Sequence, residues 1–97
     1  MLTGKQRSAL KSMAHSISPV TSVGKAGITD SVIDSLDAYI SVHELMKVTV
    51  QEGAMLDTKE VCNEVADRLG AEFVQAIGRR FVIYRPAVEE KNRKIIL

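Results

Sequence analysis

The chain has 97 residues, of which 45% are hydrophobic and 26% charged, and its formal net charge is +1. This length suits one domain and excludes two, and no apolar run approaches the roughly 20 residues of a membrane span. The single cysteine, Cys62, excludes an internal disulfide and zinc sites built on several cysteines. Because the first residues are polar and lack an apolar signal stretch, we expect a cytoplasmic protein.

The small net charge conceals three blocks of alternating sign. Residues 1–29 carry +4, residues 30–72 carry −7 and residues 73–97 carry +4. Such segregation allows a basic face on a nearly neutral protein, which suits a polyanionic partner. Scattered, solvated charge is the alternative interpretation of the same pattern.

Apolar periodicity and capping residues divide the chain into seven elements. Thr3 and Gln6, for example, have the spacing of a capping box. In chain order, the elements are a helix from Thr3 to about residues 16–18, a strand at 20–23, a helix capped by Thr29 or Asp30, a strand at 45–51, a helix from Asp57 or Thr58 to Gly70, and strands at 72–77 and 81–85 joined by a Gly78-Arg79-Arg80 turn.

The order αβαβαββ predicts an α/β two-layer sandwich of the α+β type. Strand–helix–strand units imply parallel neighbours with right-handed crossovers, and the final hairpin adds one antiparallel strand. We expect a four-stranded mixed sheet of order 1-2-4-3 with three helices packed on it. Alternation places Met46, Val48 and Val50 toward the helices, and Lys47 and Thr49 away from them.

The segment Gly24-Lys25-Ala26-Gly27 lies between a predicted strand and the start of a helix. Free N–H groups at a helix start bind anions, and glycines allow a phosphate backbone to come close. Lys25 adds a positive charge and Thr29 a hydroxyl donor. The alternative interpretation is an ordinary strand-to-helix turn. The absence of a following Gly-Lys-Ser/Thr and of a third glycine excludes a nucleotide P-loop and a dinucleotide fingerprint.

The predicted parallel arrangement places this loop and the Gly78-Arg79-Arg80 turn at the same edge of the sheet. Three strand spacings separate them by about 15 Å. Arg79 and Arg80 then extend the phosphate contacts that begin at Lys25. A solvated hairpin tip is the alternative interpretation of these two arginines.

The remaining residues give little support to metal or catalytic chemistry. His15 and His43 lie far apart in the sequence, and a metal site needs more ligands. Cys62 falls on the predicted buried stripe of the third helix, where we expect Glu60 and Glu64 to raise the pKa of its thiol. We therefore expect neither a cofactor nor a catalytic residue, and no enzymatic activity.

Several short motifs, taken together, resemble a known family. They are Leu2-Thr3-Gly4-Lys5-Gln6-Arg7, His15, Pro19-Val20, Val23-Gly24-Lys25-Ala26-Gly27-Ile28-Thr29, His43-Glu44-Leu45-Met46-Lys47-Val48, Ile77-Gly78-Arg79-Arg80 and Tyr84-Arg85-Pro86. In this order they resemble the CRM domain (chloroplast RNA splicing and ribosome maturation) in its free-standing bacterial, YhbY-type form. The resemblance divides the chain into a CRM-type domain, residues 1–86, and a basic and apolar C-terminal tail, residues 87–97.

The resemblance implies a fold similar to the C-terminal domain of translation initiation factor three. It also implies binding to structured ribosomal RNA, as an assembly factor on precursors of the large ribosomal subunit. The GxxG loop of the family falls on Gly24–Gly27 and is similar to the KH-domain loop that clamps RNA backbone. The family's basic surface falls on Lys5, Arg7 and Lys11. Because Ala26 stands where the family often has a polar residue, we expect backbone contacts there.

The leading hypothesis is a monomeric RNA-binding module that makes phosphate contacts and has no membrane or small-molecule partner. Its candidate site residues are Gly24, Lys25, Ala26, Gly27, Thr29, Lys5, Lys11, Arg79 and Arg80. Lys91, Arg93 and Lys94 of the tail are expected to add affinity without specificity.

Two other hypotheses stay open. One is a protein-interaction module whose acidic helices bind a basic partner such as a ribosomal protein. The other is a small enzyme that binds a phosphorylated metabolite at the Gly24–Gly27 loop, which would need a general acid or base that the loop lacks.

Overall fold

The computed structural model describes residues 2–97, which form three α-helices and four strands. In chain order these are α1 (Gly4–Ala14), β1 (Thr21–Val23), α2 (Asp30–His43), β2 (Leu45–Val50), α3 (Thr58–Leu69), β3 (Glu72–Ile77) and β4 (Arg80–Tyr84), with 3₁₀ turns at Glu52–Ala54 and Glu90–Asn92. The predicted order of elements is confirmed. No helix within residues 2–97 has the length and apolar character needed to cross a membrane.

The helices begin and end at the residue types that the sequence indicated. At α1, Thr3 Oγ1 accepts a hydrogen bond from the Gln6 N–H at 3.1 Å, and the Thr3 N–H donates to Gln6 Oε1 at 2.9 Å. Thr29 Oγ1 accepts the Val32 N–H at the start of α2, and Asp57 Oδ1 accepts the Glu60 N–H at the start of α3. Gly70 ends α3 with a φ of 64°, a conformation that favours glycine.

The sheet has the order β1-β2-β4-β3, as predicted. β1 is parallel to β2, whereas β4 is antiparallel to both β2 and β3. Strands β1, β2 and β3 therefore end at one edge of the sheet, here called the carboxyl edge, where β4 begins. The opposite edge, where β2 begins and β4 ends, is called the amino edge.

Each face of the sheet is covered by different helices. On the helical face, α2 and α3 pack against Met46, Val48, Val50, Phe81 and Ile83, as the alternation predicted. On the second face, α1 packs through Leu10 and Ala14 against Leu45, Val74, Val82 and Tyr84. The predicted sandwich of helices on a mixed sheet is thus extended by α1, which covers part of the other face.

The hairpin between β3 and β4 is one residue shorter than the predicted Gly78-Arg79-Arg80 turn. Ile77 pairs with Arg80, so that only Gly78 and Arg79 form the turn. Gly78 has a φ of 59°, which suits the two-residue turns that match the twist of a hairpin. Arg80 is therefore the first residue of β4. Because the adjacent Phe81 is buried on the helical face, the Arg80 side chain lies on the second face.

Arg85 follows β4 at the amino edge and joins three elements. Its guanidinium donates to Asp37 Oδ1 at 2.8 Å, to the Leu69 carbonyl at 2.7 Å and to Ser41 Oγ at 2.7 Å. The side chain is only 18% exposed. Arg85 therefore ties the ends of α2 and α3 to the end of β4.

Candidate nucleic-acid interface

Residues Gly24–Gly27 form a tight turn directly after β1. The Gly27 N–H donates to the Gly24 carbonyl at 2.9 Å. Lys25 and Ala26 lie at the tip of the turn and are exposed. The predicted loop between β1 and α2 is thus present, with its cation directed to the surface.

The two glycines of the turn are required for different reasons. A Cβ at position 24 would lie 2.7 Å from Gln51 Oε1, whereas a Cβ at position 27 would meet no atom within 4 Å. Gly27 instead has a φ of 70°, which is costly for residues with a side chain. The open space that suits a phosphate therefore lies beside Gly27, while Gly24 makes room for the protein's own Gln51.

Gln51 connects this turn to the rest of the carboxyl edge. Its N–H donates to the Val23 carbonyl at 2.9 Å, and its Nε2 donates to Ser22 Oγ at 3.2 Å. Gln51 could not be selected from the sequence, because its position beside the turn depends on the pairing of β1 with β2. It is a component of the site that only the strand register shows.

The hairpin lies closer to the glycine turn than the sequence suggested. The Val50 N–H donates to the Arg79 carbonyl at 2.6 Å, while the adjacent Gln51 N–H donates to Val23. Only β2 stands between the two segments, so their backbones are about two strand spacings, or 10 Å, apart. The predicted separation of three strand spacings applies to β3, whereas Arg80 is the first residue of β4 and Arg79 directly precedes it.

Arg79 projects from the hairpin toward the start of α3. Arg79 is exposed and donates to the Leu56 carbonyl at 3.4 Å. It lines a pocket of about 350 Å³ together with Lys59 of α3, a cation that the sequence analysis did not select. Thr58 Oγ1 donates to the Gly78 carbonyl at 2.8 Å and so attaches the start of α3 to the turn.

The part of the second face nearest the carboxyl edge is not covered by α1, which packs against residues nearer the amino edge. The strand register and the hydrogen bond between Gln51 and Ser22 place seven side chains on this open half-face: Ser22, Lys47, Thr49, Gln51, Gln75, Ile77 and Arg80. Two of them are cationic and none is acidic. The open half-face is therefore a mostly polar, positively charged surface that continues from the glycine turn.

The start of α2 is a weaker anion site than its position suggested. Thr29 Oγ1 accepts the Val32 N–H at 3.1 Å as the cap of the helix, which leaves its hydroxyl hydrogen free to donate. Asp30 already places a carboxylate in the first turn, where it pairs with Arg68 at 2.8 Å. A negative side chain there competes with a phosphate for the positive end of the helix.

Lys5 and Lys11 are exposed on α1, apart from the carboxyl edge. Six positions separate them, so they project from different sides of the helix. Lys5 lies beside a groove that is also lined by Ile96 and Leu97. The structure thus gathers Lys25, Arg79 and Arg80 at the carboxyl edge and places the cations of α1 in a second basic area.

The acidic block of the sequence lies mostly on the other side of the sheet. Asp30, Asp34, Asp37, Glu60, Glu64 and Asp67 belong to α2 and α3 and are exposed. Because these helices cover the helical face, their carboxylates lie opposite the open half-face with Lys47 and Arg80. The alternation of charge along the chain becomes a separation of charge between two faces.

The other polar candidates are structural. Cys62 is fully buried, and burial raises the pKa of its thiol to about 12. Glu60 and Glu64, which were expected to raise it, are exposed and contribute no comparable effect. Within residues 2–97, no group of three or more His, Cys, Asp and Glu side chains is placed to hold a metal ion.

These features define a class, that of small mixed-sheet α+β domains with an exposed glycine turn and cations at one sheet edge. Residues 2–85 match the CRS1/YhbY (CRM) domain, and the chain belongs to this family. The predicted family is therefore confirmed over nearly the whole chain.

Two curated relatives are similar over almost their full lengths. The chain is 35% identical over 92 residues to the Bacillus subtilis protein YqeI, named a probable RNA-binding protein, which covers 95% of this chain and 96% of that protein. It is 38% identical over 91 residues to a protein of Haemophilus influenzae named RNA-binding protein, with 93% and 91% covered.

A solved structure shows the same fold. The solution structure of the hypothetical Staphylococcus aureus protein SAV1595, described as a candidate RNA-binding protein, superposes with a TM-score of 0.80 at 38% identity. The match covers 99% of this chain and 100% of that protein. The three-helix, four-strand architecture is thus shared with a structurally characterised relative.

Proposed function

We propose that this protein binds structured ribosomal RNA and acts as an assembly factor for the large ribosomal subunit in the cytoplasm. The observation that carries the proposal is the carboxyl edge, where the turn bearing Lys25 lies beside Arg79, Arg80 and the open half-face. An exposed cationic surface suits a phosphate chain. The names of the relatives support RNA as that polyanion, and the YhbY-type resemblance supports the ribosomal precursor as its source.

Recognition should depend on the shape of the RNA more than on its sequence. Of the four aromatic residues, Phe81 and Tyr84 are buried, so that Tyr84 covers the sheet and is not available to stack on a base. Tyr39 stacks instead on His43, with ring centroids 4.2 Å apart, on the acidic side of the molecule. Contacts to phosphates are therefore expected to dominate those to bases.

The proposal contains no chemical step. The glycine turn offers Lys25 as its titratable side chain, and an enzyme acting on a phosphorylated metabolite would need a general acid or base beside it. We accordingly propose a monomeric binding protein without catalytic activity, cofactor or membrane partner.

A matched pair of double variants tests the RNA contact. Lys25→Gln/Arg80→Gln removes two charges from the carboxyl edge, and Ser35→Asp/Asn63→Asp changes the net charge equally at exposed positions of α2 and α3. In titrations with large-subunit ribosomal RNA fragments, we expect the first variant to bind about tenfold more weakly, with a salt slope shallower by about 1 to 2. The second should bind like the wild type. Equal binding by both variants would refute the site.

Sedimentation of cell extracts tests the ribosomal part separately. We expect the protein to migrate with precursors of the large subunit and to leave them when Lys25 and Arg80 are replaced. Binding to RNA fragments without enrichment on these precursors would retain the RNA-binding proposal and remove the assembly role.

The exposed carboxylates of α2 and α3 favour one alternative, a surface for a basic protein such as a ribosomal protein. Asp34→Asn/Glu64→Gln reduces that charge at two exposed positions. If this variant leaves the precursors while Lys25→Gln/Arg80→Gln stays bound, the protein-interaction function replaces the RNA-binding one.

A further inference from the structure

Glu44 is a buried carboxylate between α2 and β2, at the amino edge. It is 1% exposed and is the one buried polar or charged residue among residues 2–97. None of the RNA contacts proposed at the carboxyl edge involves it. Its burial therefore calls for a separate explanation, because an ionised group leaves water only when other donors replace the water.

The donors come from the C-terminal segment, residues 87–97. Glu44 Oε2 accepts the Ala87 N–H at 3.1 Å, and Oε1 accepts the Lys94 and Ile95 N–H groups at 2.7 and 3.1 Å. Arg93 Nε donates to the Ala87 carbonyl at 2.9 Å. This bond joins the two ends of the segment, close to the two points at which it is bonded to Glu44. Burial acts to raise the pKa of the Glu44 carboxyl, but the three backbone donors, together with the positive charge of Arg93, outweigh it and hold the pKa below its ordinary value.

The backbone of Glu44 gives a second, independent observation. Its φ is 68° and its ψ is −47°, a conformation that residues with a side chain rarely adopt. A residue that served only to end α2 would favour glycine here. The end of the helix therefore does not explain a glutamate at this position, whereas the contacts with the C-terminal segment do.

The attached segment is packed on the domain. Ala87 is 1% exposed, and Ile95 packs with the cluster between α1 and the second face. Ile96 and Leu97 line the groove beside Lys5. Lys91, Arg93 and Lys94 are exposed on this segment, and Lys91 Nζ pairs with Glu89 Oε2 at 3.2 Å.

We infer that Glu44 is a positioning residue that docks the C-terminal segment and thereby fixes Lys94 in a second phosphate-binding patch at the amino edge, on a segment whose last two residues lie beside Lys5 of α1. A cation on a docked segment loses less conformational freedom on binding than a cation on a free tail. The six residues of β2 place this patch about 20 Å from the carboxyl edge. The RNA contact rests on the proposed function, whereas the docking does not.

Docking is tested without RNA by amide hydrogen exchange. Glu44→Gln replaces one acceptor oxygen with a donor, and Lys94→Pro removes a donor while Glu44 stays in place. Arg93 has a φ of −79° and a ψ of 100°, which a residue before proline can adopt. Lys94→Gln is the matched control, since it loses the charge but keeps the N–H.

We expect the Ala87 and Ile95 amides to exchange at least about tenfold faster in Glu44→Gln and Lys94→Pro, and at the wild-type rate in Lys94→Gln. Unchanged exchange in the first two variants would overturn the docking role of Glu44. If Glu44→Gln does not fold, the pair at position 94 decides the question, because that site is exposed.

The patch is then tested by RNA affinity at position 94. Lys94→Pro and Lys94→Gln lose the same charge, so a fixed patch predicts that the proline variant binds about threefold more weakly than the glutamine variant. Equal affinity would mean that the segment acts as a flexible tail, and the patch would be refuted. If the wild type itself binds no RNA, the proposed function and the patch both fail, while the exchange measurements still decide whether Glu44 docks the segment.

Discussion

The two edges of the sheet are formed by the same strands, but charged side chains at the two edges lie in different surroundings. At the amino edge, Glu44 is buried and Arg85 half-buried, and both are paired within the protein: Glu44 accepts three backbone N–H groups, and Arg85 joins Asp37, Ser41 and the end of α3. At the carboxyl edge, Lys25 and Arg80 are exposed, and backbone hydrogen bonds hold the segments that carry them.

The comparison shows that two residues of the same amino-acid type can have different roles, one in binding and the other in the stability of the fold. Arg80 and Arg85 lie five positions apart in one basic block, yet one faces solvent on the open half-face and the other is enclosed. A buried ion must find its partners in the protein, so it serves the fold. An exposed cation is available to another molecule, so substitutions of the enclosed and of the exposed charges should affect different properties.

The largest effect on stability is expected from Arg85→Ala. The loss of one guanidinium leaves Asp37 and the Leu69 carbonyl without donors in a half-buried site, which should lower the free energy of unfolding by about 2–4 kcal/mol. Urea denaturation measures it. Arg68→Ala is the matched control, since the exposed Arg68–Asp30 pair should contribute less than about 1 kcal/mol. Equal losses in the two variants would contradict the contrast between the edges.

Glu44→Gln should lower the free energy of unfolding by about 1–3 kcal/mol at neutral pH. The pKa of Glu44 is lowered in the folded state, so its contribution is fully present above the ordinary pKa of about 4.3 and is lost as the pH falls through the lower, folded value. The difference between wild type and variant should therefore shrink below about pH 4. Urea denaturation at neutral and acid pH measures it, and a constant difference would show that the carboxylate charge is not involved.

Gly27→Ala should cost about 1 kcal/mol, because the φ of 70° at this position is unfavourable for a side chain. Gly24→Ala should cost less, since the Gln51 side chain that stands in its way is exposed and can move. Thermal unfolding of the two variants compares them. A larger loss at Gly24 would mean that the contact with Gln51 is rigid.

The smallest effect on stability is expected from Lys25→Gln/Arg80→Gln, within about 0.5 kcal/mol of wild type. The same variant should show the large loss of RNA affinity described above. A folded protein with weakened binding would confirm that the carboxyl edge serves a partner. A substantial loss of stability would show instead that its cations also hold the fold.

Local signals in the sequence predicted much of this structure. The caps Thr3, Thr29 and Asp57 and the alternation along β2 depend on neighbouring residues, so they can be identified from the chain alone. The order 1-2-4-3 is one that the connections between elements allow, and the structure confirms it. The family resemblance, which rests on many short motifs at once, predicted the same architecture.

Features that depend on distant pairing were not predictable in the same way. Gln51 belongs to the site because β1 pairs with β2, and the open half-face exists because α1 covers only part of the second face. The hydrogen bonds of Glu44 with the C-terminal segment join residues about fifty positions apart. The motif His43-Glu44-Leu45 marks this glutamate, but nothing in the motif indicates that its partners lie in the C-terminal segment.

The β-bulge in β3 affects whether copies of this protein can aggregate by pairing their strands. Phe73 pairs with Ile83 and Gln75 with Val82, so Val74 is an extra residue in a strand at the border of the sheet. An added strand would need an even ladder of N–H and C=O groups along that border, and the bulge interrupts it. The opposite border, β1, has only three residues. Neither border offers a template for sheet extension, which should protect the protein against aggregation through its strands.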